Sequence, residues 1–135
     1  MKTTNTYLYF DGRCREAMTF YGKCWQAEPT FTPFSAGPPE ICAAAKDAPD
    51  RILHSELASG SVVLMASDMM PGSRFYLGNN FSLSITCESL PEMERLFHAL
   101  SEKGKVTLPM HDAFWGGRFG MLDDQFGVSW MLSFR

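Results

Sequence analysis

The sequence predicts an α+β protein built from two βαβββ modules, and three observations point there. Several short runs are rich in β-branched and aromatic residues or alternate apolar with polar side chains, as half-buried strands do. Two longer segments instead repeat their apolar residues at i, i+3, i+4 and i+7, the spacing of one helix face. The same order of signals recurs in both halves with a period of roughly 65 to 75 residues, longer than solenoid repeats. One domain over residues 1–135, with modules at about 1–67 and 80–135, fits such a duplication.

The first half opens with Thr4 to Phe10, rich in Thr, Tyr and Phe, and stops at the turn-forming pair Asp11-Gly12. Ala17, Phe20, Tyr21 and Cys24 then mark one face of a helix from about Cys14 to Trp25. A strand at about Thr30 to Phe34 follows. Ser35-Ala36-Gly37-Pro38-Pro39 begins a long connection, expected to be a mobile loop, that ends near Pro49-Asp50. Ile52 to Ala58 and Val62 to Ala66, separated by Ser59-Gly60-Ser61, form a hairpin.

After the connection from Ser67 to Asn79, Phe81, Leu83 and Ile85 alternate with Ser82, Ser84 and Thr86, which marks a strand with one apolar and one polar face. Ser89 followed by Pro91 and Glu92 is a capping-box start for a helix carrying Met93, Leu96, Phe97 and Leu100, with Gly104 as its stop. Val106 to Met110, Arg118 to Leu122 and Val128 to Phe134 complete the second half as strands. Each sheet is expected to lay one face on its helix and to turn the other inward.

Composition narrows the function classes. With 135 residues, 45% hydrophobic and 20% charged, the chain can form a packed core and is unlike a disordered one. The net charge is −3 and the twelve Lys and Arg residues are scattered, so nucleic acid is not an expected partner. Met1-Lys2-Thr3-Thr4-Asn5 leads into a polar-aromatic segment, and no stretch reaches the length needed to span a bilayer; no membrane partner and a cytoplasmic protein are expected. Cys14, Cys24, Cys42 and Cys87 have no CxxC or His-paired spacing. On a shared helix Cys14 and Cys24 stand roughly 15 Å apart, too far for a disulfide. Reduced structural thiols are expected, although a helix N-terminus at Cys14 would favour its thiolate.

Three segments carry a family resemblance. Tyr7-Leu8-Tyr9-Phe10-Asp11-Gly12 through Ala17-Met18-Thr19-Phe20-Tyr21, His54-Ser55-Glu56-Leu57, and Trp115-Gly116-Gly117-Arg118-Phe119-Gly120 through Asp124-Gln125-Phe126-Gly127-Val128-Ser129-Trp130 together resemble the PhnB-like branch of the vicinal-oxygen-chelate superfamily, which includes glyoxalases, bleomycin resistance proteins and extradiol dioxygenases. The resemblance covers nearly the whole chain and implies mixed curved sheets forming an open cavity. Gln125 departs from it, standing where such turns usually carry Pro. The branch often carries a demethylubiquinone methyltransferase-like label, which finds no support in a glycine-rich strand-to-helix loop for a nucleotide-like methyl donor.

The resemblance also implies where a metal would be held, by one residue on the first and last strand of each half. Counting along the motifs gives Thr6, Met65, Asn80 and Met131, none of which supplies carboxylate or imidazole. No metal and no cofactor are therefore expected. The inward faces, with Asn80, Ser82, Ser84 and Thr86 on one strand and Ser129, Met131 and Ser133 on another, suit a small organic ligand, or else solvent or a dimer contact. Thr6, Met65, Asn80, Ser82, Trp115, Arg118 and Met131 are the expected ligand-binding set, with Trp115 and Arg118 at the rim.

His54 and Glu56, two apart on one strand, share a face and are the candidates for acid–base chemistry; a solvated pair is the plainer account. His98 and His111 are weaker candidates. Three function classes follow: a small-molecule-binding protein without the usual metal; a lyase, isomerase or oxygenase using a relocated metal or His54 and Glu56; and a structural or regulatory homodimer. A homodimer is expected under each, with Met69, Met70 and Phe75 as candidate contact residues.

Overall fold

The computed structural model describes residues 2–135, in which the chain forms two compact units, the first ending at Tyr76 and the second running from Leu77 to Arg135. The first unit contains β1 (Thr6–Phe10), α1 (Cys14–Trp25), β2 (Thr30–Pro33), a short 3-10 turn (Phe34–Ala36), α2 (Pro39–Ala44), β3 (Ile52–Ser59) and β4 (Val62–Asp68). The second contains β5 (Leu83–Thr86), α3 (Leu90–Leu100), β6 (Lys105–Asp112), β7 (Arg118–Asp123) and β8 (Ser129–Phe134). The duplicated βαβββ order expected from the sequence is present, with one extra helical insertion.

Each unit has a four-stranded mixed sheet, in the orders β1-β4-β3-β2 and β5-β8-β7-β6. The first and last strands of a unit pair in parallel, and every other pair is antiparallel. The parallel pairing is possible because the helix between the strands supplies the crossover.

In the first unit, α1 buries Ala17, Met18, Tyr21 and Cys24 against the sheet face that carries Leu8, Phe10, Ser55, Leu57, Leu64 and Ala66. In the second, α3 buries Met93, Leu96, Phe97 and Leu100 over Leu122, Trp130 and Leu132. Gly120 lies in that layer because a Cβ there would meet the Phe97 ring at 2.7 Å. The α3 start follows the capping-box expectation in part. Ser89 Oγ accepts from Glu92 N–H at 3.2 Å, but the Glu92 carboxylate takes Glu88 N–H at 3.1 Å.

Two departures from the expected elements have clear causes. The connection after β2 is not an open loop: Phe34 and Ala45 are buried, and Pro39 opens α2 at a position where its missing N–H costs nothing. Prolines that look like breakers here start a helix. The expected strand around Phe81 begins only at Leu83, which pairs with Trp130. Its partner β8 starts at Ser129, just beyond the Gly127 turn, so Phe81, which would fall opposite Val128, has no strand residue to pair with.

Buried carboxylates organise both units. Asp68 Oδ1 accepts from the N–H groups of Gly12 (2.8 Å) and Cys14 (3.0 Å), while Oδ2 accepts from Ile52 N–H (2.8 Å). Asp124 Oδ1 accepts from Phe126 and Val128 N–H, and its Oδ2 takes the Trp130 indole N–H at 2.8 Å. The β7–β8 turn thus needs no Pro at Gln125, whose side chain instead donates to Glu102 O at 3.3 Å. We expect Asp68→Ala to lower unfolding stability by about 3 kcal/mol, since it strands three backbone donors. Urea denaturation would measure this, and a loss of under about 1 kcal/mol would contradict the bracing role.

Candidate functional site

Each sheet has one face covered by its unit's helix and one turned away from it, and the strand register decides which side chains the second face carries. On the first sheet, Glu56 pairs with Met65, Met65 with Tyr7, and Thr30 with Glu56, so these four form one row across the strands. Paired residues project to the same side. Tyr9 and Ser67 pair in the next row, and Thr32 pairs with His54 on the same face. The Tyr7 and Tyr9 rings stand 5.2 Å apart, and the His54 ring is 6.0 Å from Tyr7. Tyr7 is 39% and Tyr9 58% exposed, which makes this an accessible aromatic surface rather than core.

The second sheet repeats the pattern with different chemistry. Met121 pairs with Met131, and Met131 with Ser84. Phe119 pairs with Ser133, and Ser133 with Thr86, while His111 pairs with Phe119 from the edge strand. Trp115 meets Phe119 edge-on at 5.5 Å and Phe114 at 4.7 Å, so aromatic rings run from the β6–β7 turn onto this face. Asp123 and Ser129, hydrogen-bonded at 2.7 Å, close the opposite end.

The sequence-derived residues divide between the faces. Met65 and Met131 occupy matching places in the two sheets and lie on the open faces. Thr6 pairs with Leu64 and alternates with Leu8 and Phe10, on the helix-covered side; the residue beside Met65 is Tyr7. Asn80 and Ser82 precede β5, and the residue beside Met131 is Ser84. Arg118 pairs with Phe134 and alternates with Gly120 and Leu122, on the face opposite Phe119. Its guanidinium donates to Asp112 at 3.3 Å, across the β6–β7 turn, while its Nε is buried without a partner among the described residues. Trp115 is half exposed and reaches the open face through Phe119.

His54 and Glu56 do project to the same side, but no hydrogen bond joins them among the described residues. Tyr7, Tyr9, Phe119 and Met121 were not singled out from the sequence. In Tyr7-Leu8-Tyr9-Phe10 the signal was there: once Leu8 and Phe10 are taken as core, alternation puts both tyrosines on the other face. Met69, Met70 and Phe75 are only partly exposed, whereas Tyr76, Leu77, Phe81 and Phe114 are among the large apolar residues that stand out in solvent.

The donor set does not suit the metal that the superfamily resemblance implies. Beside one another on the first and last strands stand Tyr7 with Met65 and Ser84 with Met131, without carboxylate or imidazole. Among the described residues no three His, Cys, Asp or Glu side chains come together to hold a metal ion. No described helix is long and apolar enough to cross a membrane.

With this geometry in place, the likenesses to known proteins are informative. The family model described as 3-demethylubiquinone-9 3-methyltransferase matches residues 2–133. The chain belongs to this PhnB-like family. Protein YjdN of Escherichia coli K12 is 32% identical over 136 residues, covering 94% of this chain and 91% of YjdN. The solved structure of PA1353 from Pseudomonas aeruginosa has 37% identity and a TM-score of 0.89, covering 100% of this chain and 98% of that one. The PhnB protein of Bacillus cereus has 26% identity and a TM-score of 0.79, with 99% and 100% covered. In fold alone the likeness extends to a glyoxalase/bleomycin resistance protein/dioxygenase family enzyme of Burkholderia phytofirmans, at 13% identity, a TM-score of 0.61, and 97% and 98% covered. The fold of this PhnB-like chain is that of the glyoxalase/bleomycin resistance/dioxygenase superfamily.

The thiols are placed for structure. Cys14 is fully buried, and burial, with the Asp68 carboxylate adding to it against Arg15, pushes its pKa up to about 12. Burial, helped by Glu92, lifts Cys87 to about 11. The helix N-terminus does not outweigh this burial, and the first amide of α1, Cys14 N–H, is taken by Asp68. Cys42 is the partly exposed thiol, within 3.2 Å of Gly37 O. A thiol reagent at pH 8 should therefore label Cys42 alone in the native protein, with Cys14, Cys24 and Cys87 reacting only after denaturation. Rapid labelling of Cys14, read by peptide mass, would contradict its placement. Because the folded pKa values lie above the usual 9, the stability these buried thiols contribute is complete below about pH 9 and should fall as pH rises toward 11 and 12.

Proposed function

We propose that this PhnB-like protein binds a small organic ligand on the open faces of its sheets, without the superfamily's usual metal centre. The observation that carries the reading is the set of unpaired side chains on the first face: Tyr7 and Tyr9 exposed side by side, with Met65 between Tyr7 and Glu56. Exposed aromatic rings next to thioether and a few polar groups supply apolar contact and orientation together. The second face, with Phe119, Met121, Met131, Ser84 and Ser133, offers a similar mixture. Trp115 extends it as an edge aromatic.

Methyl transfer draws no support from the β1–α1 connection. The only glycine there is Gly12, and the N–H groups of Gly12 and Cys14 that could meet an anionic cofactor are turned to Asp68. The second reading is a lyase, isomerase or oxygenase in which His54 and Glu56 move a proton, either directly or beside a relocated metal. Their common face favours it; their lack of a mutual hydrogen bond leaves the base unoriented. A homodimer belongs to the proposal as well, supported by the exposed Tyr76, Leu77, Phe81 and Phe114.

Ligand-observed NMR of a metabolite library against wild type and Tyr9→Ala tests the binding reading. At least one compound should bind wild type and lose roughly fivefold or more in affinity on Tyr9→Ala, the scale of one lost aromatic contact. Hits indifferent to Tyr9→Ala and Met131→Ala would overturn it. In parallel, elemental analysis and thermal-shift titrations with Mn, Fe, Ni and Zn salts should show no stoichiometric metal and no stabilisation. Stoichiometric metal lost on His54→Ala would instead favour the enzymatic reading.

A further inference from the structure

The first open face has a charge pattern that narrows its ligand. Strands β1 to β4 contain no Lys or Arg. Their two carboxylates are Glu56 and Asp68, and Asp68 pairs with Phe10 on the helix-covered side with both oxygens engaged by backbone N–H groups. Glu56 is therefore the carboxylate of the open face. It is exposed, and among the described residues it takes no hydrogen bond or ion pair through its side chain.

Around it the face is built of groups that attract positive charge. The rings of Tyr7 and Tyr9 lie together, and Met65 stands between Glu56 and Tyr7 in the same row. Aromatic faces carry negative potential, a thioether is polarizable, and the carboxylate supplies a full charge. Strand spacings of about 4.8 Å put the Glu56 and Tyr7 backbones roughly 10 Å apart with Met65 between them, so a compact organic cation lying over the Met65 thioether would span the carboxylate and the Tyr7 ring. An anionic ligand would meet repulsion from Glu56 and no lysine or arginine on these strands.

We propose that this face takes an organic cation, a small molecule bearing a quaternary or protonated amine, with Tyr7 and Tyr9 against the charge and Glu56 as counter-charge. The proposal rests on the ligand-face reading above and specifies the chemistry of its occupant. It assigns Glu56 a binding role in place of the proton-transfer role.

The test compares choline with its uncharged carbon analogue 3,3-dimethylbutan-1-ol by NMR titration of the intact protein, reading the ring signals of Tyr7 and Tyr9 and the Met65 methyl. Choline should shift these signals at millimolar concentration, with the neutral analogue roughly fivefold or more weaker. Glu56→Gln should weaken choline roughly fivefold and leave the analogue unchanged. Since Glu56 is exposed, this variant keeps the fold, which a backbone spectrum verifies. Equal affinity for the two compounds, or choline binding indifferent to Glu56→Gln, overturns the cation site while leaving the ligand face standing. No shift with either compound also overturns it, and the library experiment then decides the broader reading separately.

Discussion

The carboxylate of Asp68 holds the first unit to its shape. One buried side chain at the end of β4 ties down the turn after β1, the first amide of α1 and the first amide of β3. An ionised acceptor taken out of water is costly unless its lone pairs are filled, and here three N–H donors fill them. Arg51 reinforces the same corner from outside, reaching Asp11 at 2.9 Å and Met69 O at 3.0 Å. The turn, the helix start and the hairpin are thereby fixed relative to one another, and the placement of Tyr7 and Tyr9 follows from the strand so anchored.

The second unit meets a comparable need at a different place. Asp124 sits in the β7–β8 turn, and its hold on the Trp130 indole joins that turn to the apolar layer under α3. Gly127, at φ +86°, permits the tight return that follows. The two units share the order of elements and a methionine at the matching place of the last strand, while the bracing acid and the chemistry of the open face differ. The first face is aromatic and acidic; the second joins aromatic rings to hydroxyls and thioethers.

Much of this was legible in the sequence. Helix α1 was read at its observed bounds, and the β3–β4 hairpin was found from period and turn residues alone, because those segments bury one clean face. The helix at Pro39 was missed because proline punctuates loops and first helical turns alike. The site was harder. Counting past the nearby Gly127 gives Met131 and matching the two final strands gives Met65, but the longer count back from Phe20-Tyr21 gives Thr6 rather than Tyr7, and in a strand a shift of one residue reverses the face. Arg118 was placed at the rim because glycines flank it, whereas the register puts it on the side of Gly120 and Leu122. What Asp68 does could not be read locally, since its partners lie up to 56 residues away in sequence.

Strand β6 has a consequence for how the protein behaves at high concentration. It is a long strand at the edge of its sheet, exposed along most of its length, and such edges recruit further strands into aggregates. This one is poorly suited to that role. Pro109 removes a donor from its middle, the register slips between Val106 and Leu108 and again before His111, and Lys105 places a charge at its start. On the first sheet the edge strand β2 ends in Pro33 with a register shift of its own. These irregularities make both ladders poor templates for a strand of a neighbouring molecule.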